Sequence, residues 1–486
     1  MKIIKNILLI VMIIVCVFLS SKVWLQLPNY LNWGDEIVED GNNDLKISLW
    51  KIVKPNKYYI NDSSIHYTYN NPMDYKIWEL AVQNLEIGLR NFSESRTNLV
   101  VGEYYPEDSI IMEFDNSIPI EIFLERFGIE KKNIRTKLNY IEKVVIGIKE
   151  NNSIYIYNGD STVIIKNSKI NNEKVITSAK DLIKDNYIEC NLNTQIMGES
   201  LPVSIPNIEY ALNPVYVRSE LDISDNLLIE GIAKDYFKKD FDYVRKSKEI
   251  EGNLLFVYKN EKVLKISSEG LLDFFDANIS RETDTNMYEN LVTALNFTNN
   301  FLEFPDDVYL SKVETLQYDG NFGYKFIFNY RILNYPIIFS KLRDSQPLEV
   351  EVIGNKVISY KRLIRNIDIN PENDMKKDQI LSADLVIMNS VKLNIELKNQ
   401  DNEAQNQDNE SENQDNESKN QDNESENQNS ELKTISKEMI KEIDNIYLAY
   451  YDRGKSPGEQ HLIVAWVIDI NNESYIFNAI TGKILE

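Results

Sequence analysis

An α+β fold with antiparallel sheets, carried outside the cell behind one transmembrane helix, is what the sequence predicts. Three observations lead there. Met1–Tyr30 opens with Lys2 and Lys5 and continues as an unbroken apolar run from Ile7 to Leu19. Val144–Lys166 alternates apolar and polar residues around the turns Glu150-Asn151-Asn152 and Asn158-Gly159-Asp160, the period-two signature of a strand meander. Beyond Pro206 a pattern recurs, a helical period followed by two or more alternating stretches.

The apolar run is short for a span, which takes about 20 residues. Ser20 and Ser21 can bond back to the helix and Lys22 can snorkel toward the headgroups, which extends it to Leu27. Lys22 and Trp24 are then interface anchors, and the lysines ahead of the run keep the N-terminus in the cytoplasm. A cleaved signal peptide is the competing reading, but Phe18–Trp24 offers a poor cleavage site. Ile13, Ile14 and Val15 ahead of Cys16 do not make a lipoprotein signal either. Residues 1–30 are therefore read as cytoplasmic tip and single-pass anchor in the cell membrane, with everything after Pro28 extracytoplasmic. Cys16 and Ser20 lie four apart, a small-x-x-x-small pair on one helical face.

The chain has 486 residues, 43% hydrophobic, with 28 tyrosines, which suits ordered cores and about three domains. Its net charge of −23 argues against nucleic acid and anionic lipid surfaces as partners. Cys16 sits inside the anchor and Cys190 far beyond it, so the exported part is expected to rest on its cores without an internal disulfide.

Residues 31–204 are expected as a membrane-proximal α+β domain. Asn32–Asn43 is a polar stalk, and Ile47–Ile60 reads as extended pieces around Pro55. Asp74–Phe92 is a helix with Ile77, Leu80, Ala81, Leu85 and Leu89 on one face. A strand at Ser109–Phe114, a turn at Asp115-Asn116-Ser117 and a helix from Pro119 to Phe127 follow. Residues 205–282 form a middle domain, with a helix at Asp225–Lys238 and strands at Gly252–Tyr258 and Lys262–Ser267. Residues 283–486 form the last domain. Its helices are Met287–Phe301 and Leu381–Leu393. Its strands are Tyr309–Tyr318, Gly323–Tyr330, Pro336–Ser340, Leu348–Ile353, Lys356–Arg362, Ile446–Tyr451, Leu462–Ile470 and Glu473–Asn478. Within it, 398–431 is a low-complexity insertion in which Gln-Asp-Asn-Glu begins at Gln400, Gln407, Gln414 and Gln421. With only Ala404 apolar between Gln400 and Gln428, it cannot bury enough surface to offset chain entropy and is expected to be disordered. It carries about nine of the net negative charges. It reads as a repeat expansion tolerated in a surface loop rather than an acidic arm for a cation or basic partner.

No catalytic signature is present. The two histidines, His66 and His461, cannot form a local zinc site. There is no nucleophile elbow, phosphate loop, C-x-x-C or glycine-rich dinucleotide turn. Asp368–Gln379 fails as a calcium loop, with Asn373 in place of the glycine and Gln379 in place of the bidentate glutamate. No catalytic, cofactor-binding or metal residues are assigned, and no cofactor is expected.

Four places resemble the YycH family of the YycH/YycI group in Gram-positive bacteria. They are Trp24 with Pro28, Asn29 and Tyr30 after the anchor; Ser109–Pro119; the Leu291–Phe301 helix with Tyr335-Pro336-Ile337; and Ala465-Trp466-Val467 through Tyr475, Asn478, Ala479, Thr481 and Gly482. The last resembles the closing strand and Asn-Ala-x-Thr-Gly end shared with YycI and PepSY-like modules, so the final domain is expected to be PepSY/YycI-like. Val464 departs from the family's proline, and the acidic insertion splits the last module. The resemblance implies a regulator and not an enzyme: a partner of the WalK (YycG) sensor histidine kinase, which governs cell-wall metabolism, together with a YycI-like sister protein. On that reading the Cys16/Ser20 face docks a kinase helix. The alternative is a PepSY-like membrane-tethered brake on a secreted wall hydrolase or peptidase, with the anchor as a tether only. An external enzyme is the third reading.

Overall fold

The computed structural model describes residues 49–486 apart from 63–64, 70–73, 131–133, 135, 184–187, 192–193, 197, 202, 209–214, 260, 279–285, 319, 342–345, 369–378, 390–437, 455–459 and 472. The expected anchor with Cys16, Ser20, Lys22 and Trp24, the stalk and the acidic insertion lie outside the described residues, as does most of the calcium-like stretch. Among the described residues no helix is long and apolar enough to cross a membrane.

The first half of the chain builds a sheet with helices on one face. In order it contains β1 (Lys57–Asp62), β2 (Ile65–Tyr69), α1 (Asp74–Arg90), β3 (Arg96–Val101), β4 (Ser109–Pro119) and α2 (Ile120–Phe127). Then come β5 (Tyr140–Gly147), β6 (Ser153–Tyr157), β7 (Ser161–Lys166), α3 (Glu173–Ile183) and β8 (Ile188–Asn191). A small hairpin, β9 (Gln195–Ile196) and β10 (Glu199–Ser200), leads to β11 (Ile205–Pro206). The nine strands run β11-β8-β2-β1-β4-β5-β6-β7-β3. Alternation decides the faces. Tyr58, Ile60, Ile110, Met112, Val144 and Ile146 are buried in the main core with Trp78, Ala81 and Leu85 of α1 and Phe123 of α2. The other face holds a smaller cluster of Ile111, Val145, Tyr155 and Ile164, partly covered by Tyr59, Val100 and Tyr105.

Residues 49–52, expected as extended, are helical. The turn sets Trp50 against Phe123 and Phe127, with centroids 5.3 and 5.6 Å away. Burying an indole in an aromatic cluster outweighs the weak strand preference of Ile52 and Val53. Pro119 stands just ahead of α2 as its N-cap, and Gly128 ends the helix in the left-handed region at φ 63°.

The second half begins with β12 (Val215–Ser219) and α4 (Asn226–Phe237), whose cap Asp225 accepts from the amides of Leu227 and Leu228. Four strands follow: β13 (Arg245–Lys248), β14 (Leu254–Tyr258), β15 (Lys262–Ile266) and β16 (Leu272–Asp276). Next are α5 (Met287–Phe301), β17 (Val308–Tyr318), β18 (Asn321–Ile332), β19 (Tyr335–Phe339), β20 (Leu348–Ile353), β21 (Lys356–Arg362) and β22 (Arg365–Ile367). Residues 383–389 are helical. The chain ends with β23 (Ile443–Asp452), β24 (Gln460–Ile470) and β25 (Glu473–Asn478).

These strands form one 14-stranded sheet, β13-β14-β15-β16-β21-β20-β18-β19-β23-β24-β12-β22, with β17 on β18 and β25 on β24. The stretches expected as middle and C-terminal domains thus share a sheet, because β16 pairs with β21 and β12 with β24. All pairings are antiparallel except β19 with β23, where Ile337 lies beside Tyr450. Close approach is built in at the start of this sheet: Gly270 has φ +86°, and a Cβ there would lie 1.8 Å from Ser219 Oγ. The closing motif earns its residues structurally. Trp466 is buried and donates to the Leu381 carbonyl at 2.9 Å, while Asn478 Oδ1 accepts from the amides of Ile480 and Thr481.

Candidate functional site: a charged seam between the two sheets

The strand expected at Ser109–Phe114 does not stop there. β4 continues to Pro119, but its register jumps from Glu113 opposite Lys143 to Ile118 opposite Ile141. Phe114–Ser117 therefore bulges out opposite Glu142, which accepts from Ser117 Oγ at 2.7 Å. Asp, Asn and Ser bond locally and resist ladder pairing, so the expected turn becomes a bulge. The bulge delivers Asp115 and Asn116 to the second sheet. Asp115 accepts from Ser311 Oγ on β17 and, at 3.0 Å, from Asn56 Nδ2 at the entry to β1.

Arg331, near the end of β18, closes the seam. Its side chain is 5% exposed. Nη2 donates to the Asn56 carbonyl at 2.7 Å and to Asn56 Oδ1 at 2.9 Å, and Nε reaches the same Oδ1 at 3.2 Å. Nη1 meets Asp307 at 3.4 Å, and the guanidinium carbon lies 5.1 Å from the Tyr309 ring centroid. Lys54 reaches the other Asp307 oxygen at 2.5 Å. Asp307 itself sits at φ +50°, a left-handed geometry that aspartate tolerates, and it leads directly into β17. A second rivet joins the helices: Arg126 of α2 donates to the Tyr288 hydroxyl of α5 at 3.3 Å, and the Tyr288 amide donates to Glu125 at 3.4 Å.

On the face of the first sheet away from its helices, Lys57 donates to Asn445 Oδ1 of β23 at 2.5 Å and stands 5.0 Å over the Tyr447 ring. Glu113 lies 3.6 Å from both Lys57 and Lys143, and Lys143 also pairs with Glu103 at 2.7 Å. Burial pushes the Glu113 carboxyl upward, but Lys57 and then Lys143 reverse this, and it is held below its ordinary value. A carboxylate with a depressed native pKa contributes stability above its unfolded value and loses it as pH falls through the native one. Resistance to urea is therefore expected to decline on acidification through the carboxylate range. Glu113→Gln should flatten that decline and cost about 1 kcal/mol at neutral pH; an unaltered pH profile in the variant would remove Glu113 from the seam's energetics.

Clefts open along the seam. The larger, about 530 Å³, runs between Asp115, Ser311 and Lys325 on one side and Ile337–Lys341 on the other. Tyr309 lines it; among the described residues its buried hydroxyl has no hydrogen-bond partner, and burial first, then Asp115, raise its pKa well above the ordinary phenol value. The arrangement is a clamp of ion pairs, not a nucleophile with a base. Among the described residues no group of three or more His, Cys, Asp or Glu is placed to hold a metal ion.

Of the residues singled out from the sequence, Asp115 of the Ser109–Pro119 motif makes a seam contact, Ser117 of the same motif bonds Glu142 at the bulge and Ile337 lines the cleft, while Cys16, Ser20, Lys22 and Trp24 lie outside the described residues. His461 is exposed at the start of β24, its ring 5.3 Å from that of Tyr216, and His66 lies on β2 opposite Cys190. The Cys190 thiol is buried and pushed up to about 12, by burial and then by Glu189. One local signal for the seam existed. Arg331 follows Phe326, Ile327, Phe328 and Tyr330 and precedes Ile332, and an arginine among such residues in a buried strand needs a partner.

Residues 2–184 match the family model described as YycH protein, N-terminal domain. The crystal structure of YycH from Bacillus subtilis is similar at a TM-score of 0.48 and 15% sequence identity, over 88% of this chain and 96% of that one. No curated protein matches the chain.

Proposed function

The chain belongs to the YycH family through its N-terminal domain, and on that premise we propose that it is a membrane-anchored extracytoplasmic regulator of a WalK/YycG-type sensor histidine kinase. The family match is the observation that carries this reading. The regulator sits in the cell membrane by one N-terminal pass, with Lys22 and Trp24 at the interface. It touches the kinase with the Cys16/Ser20 helix face and with its external body, alone or beside a YycI-like sister protein. The seam supports a mechanical part for that body. Ion pairs bind the domain that follows the anchor to the second sheet, so force applied at either is transmitted to the other.

The test separates helix contact from tethering. Residues 2–30 are replaced by an unrelated single-pass helix, and kinase-dependent transcription and co-purification with the kinase are measured. Both are expected to be lost, and Cys16→Leu with Ser20→Leu should reproduce much of the loss. Full regulation with the foreign helix would overturn the helix-contact reading in favour of a tethered brake acting on a secreted wall hydrolase or peptidase.

A further inference from the structure

A second cleft lies away from the seam, between α4, α5 and the β15-β16-β21 part of the sheet. It measures about 620 Å³, within the range of small-molecule sites. Its wall is aromatic. Tyr236 and Phe274 have centroids 4.3 Å apart, Phe274 and Phe297 5.3 Å, and Phe297 and Phe301 5.5 Å. Phe274 is 2% exposed, whereas Tyr236, Phe297 and Phe301 keep part of their surface open. The Tyr236 hydroxyl is tied to the Phe275 carbonyl at 3.2 Å, which holds that ring in place.

The same lining holds three lysines, Lys238, Lys262 and Lys356, and two carboxylates, Asp235 and Asp276. Lys356 is paired with Asp276 at 2.8 Å, and Lys262 lies 3.7 Å from Asp240. Among the described residues Lys238 has no carboxylate at ion-pair distance. Its backbone is also in the left-handed region, at φ 50° and ψ −124°, an unusual place for a residue with a long side chain. Such strain persists only where surrounding structure imposes it, and it gathers at ligand sites. In a chain of net charge −23, a cleft lined by three lysines, of which Lys238 has no carboxylate partner among the described residues, offers a positive group to an anion. Ordered aromatic faces next to it suit a flat apolar body.

We infer that the cleft between α4 and α5 binds a small aromatic anion, its ring system against Phe297, Phe301 and Tyr236 and its negative group toward Lys238 and Lys262. Binding here does not depend on the regulatory reading above, and its failure would leave that reading intact.

The probe is naphthalene-2-sulfonate, titrated calorimetrically into the full chain held in phosphatidylcholine nanodiscs, with empty nanodiscs as the blank. Its neutral counterpart is naphthalene-2-sulfonamide. Saturable binding at one site per chain is expected for the sulfonate, with the sulfonamide weaker by about tenfold. Thr293→Phe, which fills the cleft from α5, should abolish binding. Lys238→Gln with Lys262→Gln should weaken the sulfonate by about tenfold and leave the sulfonamide unchanged. The lysine variant touches no core residue, so it decides the matter should Thr293→Phe fail to fold, as judged by its unfolding midpoint. Absence of saturable heat, equal affinity for the two probes, or sulfonate binding indifferent to the lysine changes would overturn the inference.

Discussion

Arg331→Ala is expected to destabilise the protein by about 3 kcal/mol and to loosen the two sheets from each other before either unfolds. The side chain makes three hydrogen bonds to Asn56, meets Asp307 and covers Tyr309. Removing it leaves the buried amide oxygen and main-chain carbonyl of Asn56 without those donors. Lys54 remains on Asp307, so the carboxylate itself is not stranded. Hydrogen exchange resolves the outcome. Amides of β1, β4 and β17 at the seam should lose protection, while those of β6, β7, β14 and β15 keep theirs. Uniform loss of protection across both sheets would show that the seam is not a separable joint.

Asp452→Asn should have the largest effect of any single polar change, about 3–5 kcal/mol. Asp452 and Arg365 have side chains 0% and 1% exposed, joined at 2.8 Å. Arg365 also donates to the Glu269 carbonyl at 3.2 Å, and Asp452 accepts from the Gly454 amide at 2.8 Å. The asparagine keeps the shape and removes the carboxylate charge that faces the buried guanidinium. The paired change Arg365→Met with Asp452→Leu removes both charges and should recover most of the loss. Urea unfolding of the two singles and the double measures this directly. A cost below 1 kcal/mol for Asp452→Asn would mean that water reaches the arginine.

Elements with a strong period were legible. α5 and the strands β20, β21 and β25 fall where the alternation of their residues places them. α3 was not foreseen, since Val175, Ile176 and Thr177 are β-branched and weaken the helical signal until the sheet buries Val175 and Ala179. β3 was missed because its six residues are largely exposed and show no clean alternation of burial. The union of β16 with β21 could not be seen locally, because pairing partners leave no mark in composition. The seam was hidden for the same reason: Lys54 and Asp307 are 253 residues apart, and Arg331 and Asn56 are 275 apart. What could be read was the local cause of the bulge, Asp115-Asn116-Ser117, although as a turn.

The pairing of β12 with β24 has a consequence for biogenesis. Val215 lies opposite Leu462, so an early strand of the second sheet waits for one of the last to emerge. β19 likewise waits for β23. The nascent chain must hold these strands unpaired until β23 and β24 have been made, a high-contact-order step that is slow and prone to association. A chain cut ahead of β24 should therefore yield a product cleared by quality control, not a shorter working form.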